Sequence, residues 1–406
     1  MQLTPNDAIT LAAAIATIAF GMWVNRTLPV LERANIPPAV TGGLIVAVVL
    51  EALQQLGGVE VKFATELRGL LLLVFFASLG LAARFTLLKT GGPAVAWVCV
   101  IIVLTIVAQN AIGIAVAQAY GLDPRLGLFM GSIAYLGGHG TTAAWAQAAE
   151  AADIPEAFEL GIASATLGLV IGGLVGGPVA GWLAGRAAVR PEAGGETPMP
   201  GVPETPTATT NAVERITAPE ASDRWVLSLL VLAACLVLGE LFGRLATAVG
   251  YPLPAFLTAL LAGVLLTNVG DALGRPVDLP RADLVGTLAL RVFLAMSMLS
   301  LDFSTLASYI APLATALAAQ VVVTSLIAML LLYRVLGRGH EGGVGAGGFI
   351  GFALGAMPVG IATMKRVVQR VGPAPRAFVV VTLAAALFQD TANAVLVRVF
   401  FSLLGR

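Results

Sequence analysis

Apolar stretches approaching membrane thickness recur along the whole chain, and they leave few folds open. Ten of them lie at about Ala8–Val24, Pro38–Leu56, Gly69–Ala83, Pro93–Tyr120, Phe158–Leu183, Val226–Phe242, Pro254–Val269, Leu284–Leu301, Ile310–Leu332 and Ala377–Leu404. A helix crosses the hydrocarbon core with roughly 20 residues. The predicted fold class is therefore an all-α integral membrane protein with ten transmembrane helices. Composition agrees, since only 11% of the 406 residues are charged, against about 25% in a soluble domain. Lys+Arg and Asp+Glu balance at 23 each, so no basic field exists for nucleic acid. The first stretch lacks a basic leader and a clear cleavage site, and it reads as a mature helix.

Between the fifth and sixth stretches lies Arg190–Arg224, which carries Pro191, Pro198, Pro200, Pro203, Pro206 and Pro219 among Thr, Glu and Gly. Such a segment builds no core and reads as a disordered linker. Residues 1–189 and 225–406 then form two halves of five spans each. Basic residues orient them: sixteen fall on loops of one side and six on the other. The positive-inside rule puts both termini outside (periplasmic) and the linker in the cytoplasm.

The halves resemble each other. Phe75–Leu88 aligns with Phe293–Leu306 at an offset of 218, and the same offset lays Leu136-Gly137 on Leu354-Gly355. Two five-span halves in one chain must point in opposite directions. The expectation is two inverted five-helix repeats, with a site at their interface near mid-membrane, as in many secondary transporters.

Two further apolar segments, about 124–149 and 342–366, are broken in the middle. The first carries Gly137-Gly138-His139-Gly140-Thr141-Thr142 and the second Gly355-Ala356-Met357-Pro358-Val359-Gly360 with Thr363. Clustered glycines and a proline do not continue a helix. Each segment is predicted to be a re-entrant helical hairpin, one from each face, with tips meeting mid-membrane. Irregular backbone survives there only inside protein or along a cavity. Helix starts at the tips suit a carboxylate, and free carbonyls suit a small cation. The hydroxyls of Thr141, Thr142 and Thr363 add contacts.

Asp390 sits within the last apolar stretch, where an ionisable group is costly and functional by default. Asn393, three residues on, shares its helix face. The pair can ligate a cation, bind a substrate ammonium, or form an interhelical hydrogen bond. His139 is either a pH-sensitive ligand contact or a structural hydrogen bond. Gly168, Gly172 and Gly176, like Gly173, Gly177 and Gly181, recur every four residues and point to close helix packing. Gln109 and Asn110 are either buried glue or pathway lining. No hydrolase, metalloprotease or phosphate-loop motif occurs, so the chain is not expected to be an enzyme.

At these residues the chain resembles the bacterial sodium/glutamate symporter family. The resemblance rests on Gly137-Gly138-His139-Gly140-Thr141 with Ala143-Ala144-Trp145, and on Gly355-Ala-Met-Pro358-Val-Gly-Ile-Ala-Thr-Met364. Phe75–Leu81, Phe293–Leu301, Arg370–Pro373 and Asp390–Ala394 support it. Departures are Met357 and Val359 where hydroxyl residues are expected, and Ala77-Ser78 in place of two threonines. The resemblance implies sodium-driven import of L-glutamate across the bacterial inner membrane by alternating access. It also implies a homodimer in which a mobile hairpin domain slides against a static one, as in an elevator. Substrate is assigned to Gly138, Gly140, Thr141, Gly355, Pro358, Gly360, Thr363 and Asp390, with Ser78 and Ser297 as secondary candidates. Candidate sodium ligands are Gly137, His139, Thr142, Met357, Asp390 and Asn393. The related 2-hydroxycarboxylate transporters keep a citrate-like substrate open as the alternative.

Overall fold

A computed structural model describes residues 2–28, 31, 36–57, 60–61, 63–64, 66–85, 92–154, 156–185, 219–251, 253–274, 277, 279–299, 306 and 308–405. The regular structure of these residues is helical, apart from a two-residue parallel pairing of β1 (Gln2–Leu3) with β2 (Glu60–Val61). The first half contains α1 (Asp7–Thr27), α2 (Pro38–Gly57), α3 (Glu66–Ala82), α4 (Gly92–Ala119), α5 (Leu126–Phe129), α6 (Gly138–Glu150) and α7 (Ala157–Gly185). The second half contains α8 (Pro219–Ala248), α9 (Ala255–Ala272), α10 (Leu279–Met298), α11 (Ile310–Ile327), α12 (His340–Gly355), α13 (Met357–Val371), α14 (Pro375–Ala384) and α15 (Asp390–Leu404). A π turn at Ala328–Leu332 continues α11 to Tyr333–Val335, and another at Ala385–Gln389 joins α14 to α15.

Among the described residues, eight helices are long and apolar enough to cross a membrane: α1, α2, α4, α7, α8, α9, the extended α11 and the joined α14–α15. The other two expected spans are α3 and α10. With 17 residues, α3 is marginally short. The helix α10 carries three charged residues, Arg281, Asp283 and Arg291. Both are nevertheless central. Phe76 of α3 and Phe293 of α10 are buried in one core with Phe256 of α9 and Trp145 of α6.

Most of the expected linker, residues 190–218, lies outside the described residues. Its last part is helical, because α8 starts at Pro219, seven residues before the predicted start at Val226. Proline fits a first helical position, where its missing N–H would have no partner anyway.

Lipid is as apolar as leucine, so helix association depends on close packing and buried hydrogen bonds. The expected glycine packing is found on one stripe of α7. A β-carbon on Gly168 would collide with the Leu354 carbonyl, and one on Gly176 would lie 2.6 Å from the Gly347 oxygen. Gly172 faces Gly351, and Gly355 in turn abuts Leu169, so α7 and α12 run antiparallel in backbone contact. On the second stripe, among the described residues, Gly173 touches only Val359, while Gly177 and Gly181 meet no neighbour within 4 Å.

Candidate functional site: two broken helices that meet

The two glycine-rich segments are broken where clustered glycine and proline demand it, within a few residues. In the first, α5 gives way to irregular turns over Met130–Gly137, and α6 starts at Gly138 with φ +69°. Gly140, Thr141 and Thr142 therefore belong to the start of α6 and not to the irregular stretch. In the second, α12 ends at Gly355 and α13 starts at Met357, with Ala356 alone between them at φ 101°, ψ 160°. Pro358 occupies the first turn of α13, where proline is tolerated. Neither α6 nor α13 has a side-chain cap at its N-terminus.

Each segment closes on itself. The Arg125 guanidinium, at the entrance of the first, lies 3.5 Å from the Ala152 carbonyl at its exit. His340 Nε2, at the start of the second, lies 2.9 Å from the Gly372 carbonyl at its end. Arg125 is itself held by a forked contact to Asp123, at 2.6–3.1 Å. That contact holds the Asp123 carboxyl below the usual carboxylate range. Within the second segment, Gly351 abuts Gly360, and Gly348 abuts Met364, so α12 and α13 pack antiparallel.

The two breaks touch. A β-carbon built on Gly138 would lie 3.7 Å from Ala356 Cβ. Amide side chains from three spans hold the surrounding backbone. Gln109 Nε2 of α4 donates to the Ala353 carbonyl at 2.8 Å. Gln320 Nε2 of α11 donates to the Gln109 and Met130 carbonyls at 2.8 and 3.0 Å. Gln389 Nε2 donates to the Leu136 carbonyl at 2.5 Å. Asn110 and Asn393 both bond to Ser132. Carbonyls released by a broken helix need partners when buried, and these amides supply them. The oxygens of Gln109, Gln320 and Gln389 remain buried and unpaired among the described residues.

The sequence of this chain, compared with known proteins, matches the family model described as sodium/glutamate symporter over residues 3–373. It is 36% identical over 404 residues to the sodium/glutamate symporter of Escherichia coli K12, covering 97% of each chain. It is 35% identical over 409 residues to that of Haemophilus influenzae, covering 100% of this chain and 99% of the relative. The chain belongs to the sodium/glutamate symporter family.

In this symporter-family chain the predicted site residues divide into several groups. Gly138 and Gly355 flank the meeting point. Gly137 packs over Thr141, and Gly140 is covered by Phe75 of α3 and Leu290 of α10. Met357 is half-buried and Pro358 exposed, so the second break opens on space. Gly360 is closed against Gly348 and Phe352, and Thr363 keeps a buried, unpaired hydroxyl. Thr142 Oγ1 donates to its own Gly138 carbonyl at 2.8 Å. His139 Nε2 lies 3.1 Å from Thr166 Oγ1 of α7, a hydrogen bond between helices. Ser78 donates to the Phe75 carbonyl at 2.8 Å where α3 crosses α10 at Gly286. Ser297 lines a cavity of about 440 Å³ with Glu66, Arg68, Gln147 and Glu150. This cavity reaches Ala143, one turn beyond Gly140. The Asp390 carboxylate is half-buried and has no hydrogen bond or ion pair among the described residues.

Ser132, Gln320, Gln389 and Ala356 are the site residues that sequence reading missed. Gln320, like the Gln109-Asn110 pair, is a polar residue deep in an apolar stretch. That signal marks a buried hydrogen bond in membrane helices. Nothing in the sequence marks Ala356, because its backbone conformation is one that glycine usually supplies.

Proposed function

We propose that this chain imports L-glutamate with sodium as the coupling ion, and that the substrate binds where the two breaks meet. The carrying observation is the contact of Gly138 with Ala356, positions 218 apart that the internal repeat makes equivalent. Contact between equivalent positions is what a two-fold relation between inverted halves produces at its axis. Two helix N-termini without side-chain caps converge there, and the positive partial charge of a helix start suits a carboxylate. The relatives' names supply glutamate and sodium.

The finer reading follows. The chain forms ten spans in two inverted five-helix repeats, with α3 and α10 counted among the spans. The segments at about 124–149 and 342–366 are re-entrant hairpins, supported by ends tied at Arg125–Ala152 and His340–Gly372. The cavity beside Ser297 is the outward vestibule, because the starts of α3 and α7 that line it lie on the side given to both termini. The chain works as a homodimer in the inner membrane, and a hairpin-bearing unit moves as an elevator.

Uptake of labelled glutamate into proteoliposomes tests this reading. An inward sodium gradient should drive accumulation, and choline in place of sodium should abolish it. Equal uptake in the two buffers rejects sodium coupling. Uptake of citrate but not glutamate rejects the substrate.

A further inference from the structure

Ser132 joins two amides that arrive from different helices. Its backbone N–H donates to Asn110 Oδ1 at 3.0 Å. That bond fixes the Asn110 amide, because a nitrogen there would set donor against donor. Its backbone carbonyl accepts from Asn393 Nδ2 at 3.1 Å. That bond fixes the Asn393 amide in the opposite sense. Ser132 Oγ then lies 2.9 Å from Asn110 Oδ1 and 2.6 Å from Asn393 Oδ1.

A hydroxyl owns one proton. It serves one of these contacts and leaves the other as lone pair facing lone pair. All three residues are 0% exposed, so bulk water does not relieve the repulsion. A second observation points the same way. Gln389 lies four residues before Asn393, on the same face toward the segment 132–136, and is 4% exposed. Its nitrogen is spent on the Leu136 carbonyl, and its oxygen is buried without a partner. Oxygens on this wall of the segment therefore face one another without a proton between them, and the Asn110 Nδ2 donor, also buried and unpaired among the described residues, fills none of them.

We propose that Asn110 Oδ1, Ser132 Oγ and Asn393 Oδ1 are ligands of a small monovalent cation, with Gln389 Oε1 one turn further along. Hard cations take oxygen ligands, and a set of neutral oxygens suits a single positive charge better than two. The proposal deepens the symport reading and rests on it for the identity of the ion, sodium. It gives the ion a route to the substrate site. Ser132 lies in the irregular stretch Met130–Gly137 that leads into Gly138, so an ion clamping Ser132 to α4 and α15 also sets the position of the break.

The test is a sodium titration of two readouts: glutamate uptake in proteoliposomes, and melting temperature of purified protein without glutamate. Ser132→Ala should raise the half-saturating sodium concentration at least fivefold and shrink the sodium-induced melting shift. High sodium should restore much of the lost uptake, and Ser132→Thr, which keeps the hydroxyl oxygen, should recover most of the sodium response. Wild-type sodium dependence of Ser132→Ala in both readouts overturns the proposal. If Ser132→Ala fails to fold, Asn393→Ala is read by the same two titrations. If wild-type uptake needs no sodium, the symport reading fails. The cation site still stands if sodium, and not choline, raises the melting temperature of the wild type and not of the variant.

Discussion

Gly138 and Ala356 sit within van der Waals reach of each other, and both hold positive φ, at +69° and 101°. Glycine accepts such a backbone freely and alanine does not. Ala356→Gly should therefore stabilise the protein by about 1 kcal/mol, strain relief outweighing the added chain entropy. Gly138→Ala has room for its methyl group but should cost about 1–2 kcal/mol, the penalty of a left-handed backbone. Thermal melting in detergent checks the pair, and equal melting temperatures for all three proteins would contradict the strain.

The two glycine stripes of α7 give a paired prediction. Gly176→Ala must push α7 off Gly347 of α12 and should lower both stability and uptake. Gly177→Ala meets no neighbour within 4 Å. It should be neutral or stabilising by up to about 1 kcal/mol, from helix propensity alone. Melting and initial uptake rates separate the two stripes, and a loss in Gly177→Ala would place an unseen contact there.

Asp390 follows directly after a π turn, with its carboxylate free of protein partners among the described residues. Asp390→Asn should weaken sodium dependence or recognition of the substrate ammonium, while Gln389 and Asn393 keep their bonds to the broken segment. A sodium titration with a panel of amino and dicarboxylic acid competitors reads both. An unchanged titration and an unchanged panel would leave Asp390 a structural role.

The Asp123–Arg125 pair stands at the mouth of the first segment and is partly exposed. Its worth is no more than about 1 kcal/mol. Asp123 has a folded-state pKa below its ordinary value. Its contribution is thus complete above the unfolded pKa of about 3.9 and is lost as pH falls through the lowered folded value. Asp123→Asn should melt slightly below wild type at pH 7, with the gap closing in acid. A gap independent of pH would contradict the ion pair.

Much of this was legible in the sequence. The apolar stretches mark the helices, and α3 and α10 are found despite short length and polar content. Gly137-Gly138 and Gly355–Pro358 mark the breaks, because few other residues end a helix inside an apolar run. Gly168, Gly172 and Gly176 mark a packed face. The partners of the buried amides were not legible. Gln109 looks the same whether it bonds to Ala353, 244 residues away, or lines a pathway. Asn393 reads as a cation ligand, an ammonium contact or an interhelical hydrogen bond, and its partner Ser132, 261 residues away, emerges only from the fold. Pro219 reads as linker in the sequence because it follows a proline-rich run, although it opens α8.

The central claim is that the two breaks meet and hold the substrate between them. Gly138→Cys with Ala356→Cys, in a background lacking Cys99 and Cys235, tests it most directly, since the Cβ separation matches that of a disulfide. Mild oxidant should link the two peptides, as read by mass spectrometry, and abolish glutamate uptake until a reductant restores it. No linkage would contradict the meeting of the breaks, and linkage with undiminished uptake would contradict the placement of glutamate between them.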